Sequence, residues 1–369
     1  MVPEESARIK GWINTAYVAV SGGKEAIEES IRLLDYYRSG TDKDVELEAI
    51  VDKLSLLVDR VMSEAGLYAK SYAALALKQC EGSVEEAVFL LRAYRSTLTR
   101  NYYTNTVNAN DMRIVRRISA AFKDIAGGQI LGATYDYTHR LINFDIDDED
   151  AAERLRSSQA ALLAQTPEKV IPCPRVSDTL KDEGLIDIFS EDDRAPDDIT
   201  VNMLEFPTSR CARLQTLSRS DTGFVSGLAY SSLRGFGQVH PTVGELRCGY
   251  VELYVPYSQD GDESIYIGEI LITEVECFNS ANDNDKDQLK LAVGYGAVFG
   301  RNETKAIAMA VIDRELDQGG PYPAQDEEFV LMHGDSLEMN GFISHLKLPH
   351  YVTFQSKLDA VRKTRGRGN

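Results

Sequence analysis

The sequence predicts an α+β protein with an N-terminal helical domain, an acidic connector and a C-terminal mixed domain of antiparallel strands and helices. Three observations carry this reading. Apolar residues recur at helical spacing through 24–99, β-branched and aromatic runs dominate 249–277, and a polar, acidic, proline-bearing stretch lies between them. The expected divisions are an extension over 1–15, a mainly helical domain over 16–144, the connector over 145–204, an α+β domain over 205–356 and a basic tail over 357–369.

Taken in order, the short apolar "AYVAV" at 16–20 opens the pattern, and a helix is expected from Lys24 to Arg38 with Ile27, Ile31 and Leu34 facing a core. Further helices are expected over 46–64, 68–80 and 84–99. The last begins at a capping-box spacing, Ser83 with Glu86. Glycines and aromatics then crowd "GGQILGATYDYTHRL" from 127, and a short helix is expected over 150–164 within the connector. In the second domain "GYVELYV" (249–255), "SIYIGEILITEVEC" (264–277) and "LAVGYGAVFG" (291–300) read as strands. Asn302 is placed to cap a helix through Leu316.

With 369 residues, 43% of them hydrophobic, the chain can bury a sizeable core in two or three domains. The net charge of −18 disfavours nucleic acid and anionic membranes, because the long-range field repels polyanions. Runs such as "ILIT" at 270–273 are too short to span a bilayer and no secretory h-region is apparent, so a cytoplasmic location is expected. Cysteines 80, 173, 211, 248 and 277 are scattered without a CxxC and are expected to be reduced; no iron–sulfur trio is present. The charge is uneven. Seven cations, Arg92, Arg95, Arg100, Arg113, Arg116, Arg117 and Lys123, face one acid, Asp111, over 92–123, whereas eight acids accompany one arginine over 182–198. Such a basic segment can hold a phosphate-rich ligand or form a solvated helix face.

"SGGKEA" at 21–26 lacks the first glycine and the hydroxyl residue of a phosphate loop, and "GYGAVFG" lacks the βαβ setting of a dinucleotide site. Three stretches carry more chemistry. In "TYDYTHRL" (134–141) Asp136, His139 and Arg140 are crowded, and a carboxylate beside an imidazole tunes it for proton transfer; a structural hydrogen-bonded cluster is the competing reading. In "RGFGQVHP" (234–241) glycines flank Arg234 and His240, as a ligand-approaching loop or an ordinary one. A regular strand over 265–277 sets Glu269 on one face with Ile265, Ile267, Leu271, Thr273 and Val275, where burial would raise its pKa and suit it to acid catalysis; a paired structural glutamate is the competing reading. In "ISHLKLPHYV", His345 and His350 are five apart, about 140° around a helix, so only a bend at Pro349 brings them together. Two imidazoles are an incomplete shell for zinc or iron, to be completed by His333, a carboxylate, water or another chain; ordinary surface or core histidines are the competing reading.

The stretches "YVAVSGGKEAI", "LLRAYRSTL", "RRISAAFKDIAGGQILGATYDYTHRL", "LAYSSLRGFGQVHPTVGELRCGY", "AQDEEFVLMHGD" and "GFISHLKLPHYVTFQ" resemble the PhnI family, subunits of the bacterial carbon–phosphorus lyase core complex. The likeness runs from Tyr17 to Leu358 and is weakest over 145–200. It implies a protein that works with PhnG, PhnH and PhnL to couple a phosphonate such as methylphosphonate to C1′ of the ribose of ATP, releasing adenine. It implies Mg²⁺ with the ATP, nucleosidase activity on ATP or GTP without the partners, and a metal, zinc, at the contact with PhnJ. On this sequence the family's HxxxxH pair falls on His345 and His350. Expelling a purine from C1′ passes through an oxocarbenium-like state, which calls for an acid, a nearby carboxylate and cations for the phosphates. The candidates are Asp136, His139 and Glu269 for the first two, and Arg92, Arg113, Arg116, Arg117 and Arg234 for the last. The alternative is a scaffold whose partners supply the active site.

Overall fold

The computed structural model describes residues 23–39, 44–146, 148–163, 172–186, 194–257, 263–281 and 289–366. The "AYVAV" run and the expected extension over 1–15 lie outside them. Five helices come first: α1 (Lys24–Ser39), α2 (Leu47–Lys53), α3 (Ser55–Ala65), α4 (Lys70–Gln79) and α5 (Val84–Thr97). Apart from α1 they pack on one another around Val61, Met62, Ala73, Leu77, Val88 and Leu91. Strand β1 (Arg113–Ile118) follows, then α6 (Glu149–Leu163) and α7 (Val176–Asp182) within the acidic region, then α8 (Arg210–Arg219) and α9 (Thr222–Ser231). Strands β2 (Thr242–Pro256), β3 (Ser264–Ser280) and β4 (Leu291–Phe299) lead into α10 (Glu303–Gln318), α11 (Glu327–His333), α12 (Ser336–Ser344) and α13 (Tyr351–Arg365). The α+β expectation holds. No helix among the described residues is long and apolar enough to cross a membrane.

The strands form one antiparallel sheet in the order β1–β2–β3–β4. Helix α10 lies across β4 because Gly294 and Gly296 present no side chains there: a β-carbon on either would stand 2.1 Å from the Ala310 carbonyl or 2.2 Å from that of Ala306. Leu246, Val275 and Val298 of this face pack with Met309 and Ile312 of α10 and with Leu217, Val225 and Val330 of the flanking helices. The opposite face is charged: Arg117 pairs with Glu245, and Arg175 reaches Glu274 at 2.9 Å and Glu276 at 2.7 Å.

Several local expectations change. Ile27, Ile31 and Leu34 of α1 are 63%, 55% and 40% exposed, so helical spacing alone did not create a partner for that face among the described residues. The helix expected over 46–64 breaks at Leu54 (φ −108°, ψ 30°) into α2 and α3. Ser83 makes no side-chain cap; its own N–H is already bonded to the Cys80 carbonyl (2.9 Å), which removes the need for a reciprocal Glu86. Asn302 likewise makes no cap, its amide donating instead to the Phe299 carbonyl at 2.6 Å. Strand β1 arises inside the domain expected to be mainly helical, beyond its last expected helix, because "RIVRRI" joins the sheet through β2.

Candidate functional site

A cavity of about 300 Å³ opens where α2 and α3 meet the face of β1, β2 and β3. Lys70, Arg116 and Arg301 line it, with Asp59, Glu303 and Tyr250. The β1–β2 register slips between Ile114 and Arg116, and this bulge sets Arg113 opposite Tyr250 and Arg116 opposite Cys248. Residues three apart on a strand ordinarily face opposite ways; the extra residue brings these two to the same side. The Arg113 guanidinium then lies 4.4 Å from the centre of the Tyr250 ring and 2.6 Å from Glu269. Arg116, only 5% exposed, donates to the Leu131 carbonyl and to Asp136, and its Nε stands 2.7 Å from Glu303 without hydrogen-bond alignment.

The carboxylates here differ in kind. The Thr134 hydroxyl and the Arg116 guanidinium hold the Asp136 carboxyl below its usual range, so it is an anion at neutral pH. Burial pushes the Asp59 carboxyl upward, opposed by the Arg301 backbone N–H at 2.9 Å and the Arg301 charge. Gly300 (φ +70°) makes this contact possible, since a β-carbon there would lie 2.2 Å from the Asp59 carboxyl carbon. Arg301 also donates to the Ser55 hydroxyl at 2.5 Å. Cys248 lines the floor as a thiol whose pKa burial raises. Asp59, Lys70, Tyr250, Arg301 and Glu303 were not singled out from sequence; each is an ordinary polar or aromatic residue in its own segment, and only the packing of α3 and α4 on the sheet makes them neighbours.

The sequence candidates divide accordingly. Arg113, Arg116, Asp136 and Glu269 are gathered at this edge. The burial expected for Glu269 is corrected: Leu271, Thr273 and Val275 on its face are buried, but its own carboxylate is 35% exposed beside Arg113. Towards that end of the sheet Ile265 and Ile267 are themselves about half exposed, and Gly268 (φ +129°) interrupts the strand. Arg117 lies on the opposite face, fully buried against Glu245 and donating to the carbonyls of Ala126 and Pro174. Arg92 pairs with Asp335 and donates to the Glu64 and Arg219 carbonyls. Arg234 is exposed, 6.0 Å from the Tyr230 ring centre, and His139 and His240 are exposed.

His345 and His350 do come together, with ring centres 5.5 Å apart. A short 3₁₀ turn after α12 and an extended Leu348 make the bend at Pro349. Each Nδ1 sits on a backbone carbonyl, that of Phe342 for His345 and that of Leu348 (2.6 Å) for His350. With Nδ1–H donating, Nε2 carries the lone pair, the tautomer a metal-binding imidazole needs. No cluster of three or more His, Cys, Asp or Glu able to hold a metal occurs among the described residues, so His333 does not complete the pair.

The chain belongs to the PhnI family: the family described as bacterial phosphonate metabolism protein (PhnI) matches residues 16–368. It is 44% identical over 355 residues to the Escherichia coli (strain K12) protein named alpha-D-ribose 1-methylphosphonate 5-triphosphate synthase subunit PhnI, covering 94% of this chain and 98% of that one. The Rhizobium meliloti (strain 1021) protein of the same name is 43% identical, with 95% of each chain covered. A Stutzerimonas stutzeri protein named putative C-P lyase subunit protein HtxH is 45% identical, covering 94% of this chain and 95% of its own length.

Proposed function

We propose that this protein is the subunit of a carbon–phosphorus lyase system that binds ATP with Mg²⁺ and transfers its ribose 5-triphosphate to a phosphonate such as methylphosphonate, releasing adenine. By itself it uses water as the acceptor, acting as a nucleosidase on ATP or GTP. The names of the two synthase-subunit relatives support the product class. The observation that carries the reading is the convergence of Lys70, Arg116 and Arg301 with Asp59, Asp136 and Tyr250 at one cavity. Arg116 and Arg301 attract phosphate or Mg²⁺-bound nucleotide, ionised Asp136 stabilises positive charge developing at C1′, and Asp59, with its raised pKa, is the group best placed to hold a proton for the departing base. Glu269, paired with Arg113 at this edge, and His139, three residues beyond Asp136, are further proton-transfer candidates, and Arg113 extends the phosphate-binding assignment; Arg92, Arg117 and Arg234 lie elsewhere, Arg92 paired with Asp335 and Arg117 with Glu245. The test is free adenine from ATP and Mg²⁺ with the isolated chain, then the phosphonate adduct when PhnG-, PhnH- and PhnL-type partners are added. Intact nucleotide after long incubation with folded protein and partners would overturn it.

His345 and His350 fit a metal through their tautomers, and we assign them to half of a zinc site completed by a PhnJ-type partner. Bound there, zinc would hold the two chains in register or act as a Lewis acid. A scaffold role has its own support: Phe342, Leu346, Tyr351 and Val352 around the pair are 70%, 64%, 72% and 86% exposed, an apolar surface suited to another subunit. In that reading the work is done in the cytoplasm by the assembled complex, and the isolated chain releases no base.

A further inference from the structure

A second cavity, about 270 Å³, lies where the C-terminal ends of α3 and α8 meet the sheet, and Arg95 and Arg219 face it, over a floor that includes Ile272 and Phe299. Neither guanidinium has a carboxylate within ion-pair distance among the described residues. Arg95 donates only to backbone carbonyls, those of Ala65 (2.8 Å) and Gly66 (3.4 Å), and the Arg219 Nε is buried with no hydrogen-bond partner. A buried donor left unpaired is costly, and two like charges side by side are more so. The protein nevertheless builds this pair deliberately. Helix α3 ends on Gly66 in the left-handed region (φ +64°), and a β-carbon there would stand 2.8 Å from Arg95 Nη1 and 3.2 Å from Arg219 Nε. Glycine is required by the backbone, and the missing side chain lets the two guanidiniums close over it.

The surroundings do not cancel the charge. Arg92 is engaged by Asp335, Arg60 by Glu64 and Asp221, and buried Lys305 donates to the Ser218 carbonyl at 2.6 Å. With the Arg100–Asp198 pair that also acts on this cavity, six cations, Arg60, Arg92, Arg95, Arg100, Arg219 and Lys305, thus face four carboxylates, Glu64, Asp198, Asp221 and Asp335. Burial together with Arg92 and Arg95 pushes Arg219 down to about 10, and burial with Arg92 and Arg100 also lowers Arg95.

We propose that the Arg95–Arg219 cavity is a binding site for a tetrahedral phosphorus oxyanion, a phosphate of a polyphosphate chain or a phosphonate group. Two guanidinium forks match such a group, whose oxygens lie on several sides, better than a planar carboxylate, which one fork satisfies. Ser63 and Thr200 at the cavity wall donate their hydroxyls to the Ser218 carbonyl and to Asp198, so the two guanidiniums are the donors that face the anion. The inference stands independently of the reaction proposed above.

The experiment compares thermal unfolding and calorimetric titration of the full chain with tripolyphosphate and with methylphosphonate, against sodium chloride of equal ionic strength. Wild type should gain thermal stability with one of the phosphorus anions. Arg219→Met should unfold at a higher temperature than wild type without anion, because a like-charge contact is gone, and should bind the anion about tenfold or more weakly. Tripolyphosphate as the tighter ligand assigns the site to the nucleotide chain, methylphosphonate to the second substrate, and either supports the site. If sodium chloride reproduces the wild-type shift, or Arg219→Met responds as wild type does, the proposal is wrong. Should Arg219→Met fail to fold, the same comparison on Arg95→Met decides. Tight tripolyphosphate binding without adenine release would leave this site standing and overturn only the proposed reaction.

Discussion

Arg116 and Arg117 are adjacent in the chain and point to opposite faces of β1, one into a cavity and the other into a buried pair with Glu245. Two identical side chains are therefore expected to report different things. Arg116→Gln should weaken ATP binding by about 1–3 kcal/mol, the range for a charge-assisted hydrogen bond, besides the fold stability lost with its contacts to the Leu131 carbonyl and Asp136. Calorimetric titration of ATP with Mg²⁺ checks this, and an unchanged affinity would remove the cavity from consideration as a nucleotide site.

Arg117→Met, in contrast, leaves Glu245 as an uncompensated buried charge. The loss expected is about 3–5 kcal/mol of unfolding free energy, read from urea denaturation, with the nucleotide affinity of the remaining folded protein unaltered. A double change, Arg117→Met with Glu245→Leu, should recover much of the loss.

Lys305 offers a pH test. Burial pushes its ammonium down to about 8 from its ordinary 10.5, against the attraction of Glu64 and Asp221 and with the repulsion of Arg60 and Arg92. Below the folded value both states hold the proton and the folded protein bears the full cost of a buried charge. Between 8 and 10.5 the unfolded chain binds more protons, so stability rises with pH, by about 3 kcal/mol in total. Lys305→Met should lack this rise. Urea midpoints of both proteins from pH 7 to about 10.5 compare the slopes; parallel curves would show that Lys305 does not titrate in this way.

His345→Ala should leave the isolated chain folded, since His345 is only half-buried, His350 is exposed, and each ring is hydrogen-bonded only to a nearby carbonyl. Zinc in the purified complex, measured by elemental analysis, should fall, and product formation with it. Stoichiometric, tightly held zinc in the isolated wild-type chain would mean a self-contained site instead.

By itself the sequence determined the α+β class, the long strands around 249–277 and 291–299, the helix after Asn302 and the bend that joins His345 to His350. Each depends on neighbours in the chain: β-branched alternation, helical spacing, or a proline that forbids helix before it. It did not determine which cations meet a ligand. "RIVRRI" carries three arginines, and their sides were fixed by a bulge in the pairing with β2, a partner more than a hundred residues away. Nor did it expose Asp59 with Arg301, or Arg95 with Arg219, because no local period relates the segments that supply them. Burial of Glu269 was misjudged for the same reason: a strand face is a local property, but its depth depends on how far the covering helices extend, and here they stop short of the open end of β3.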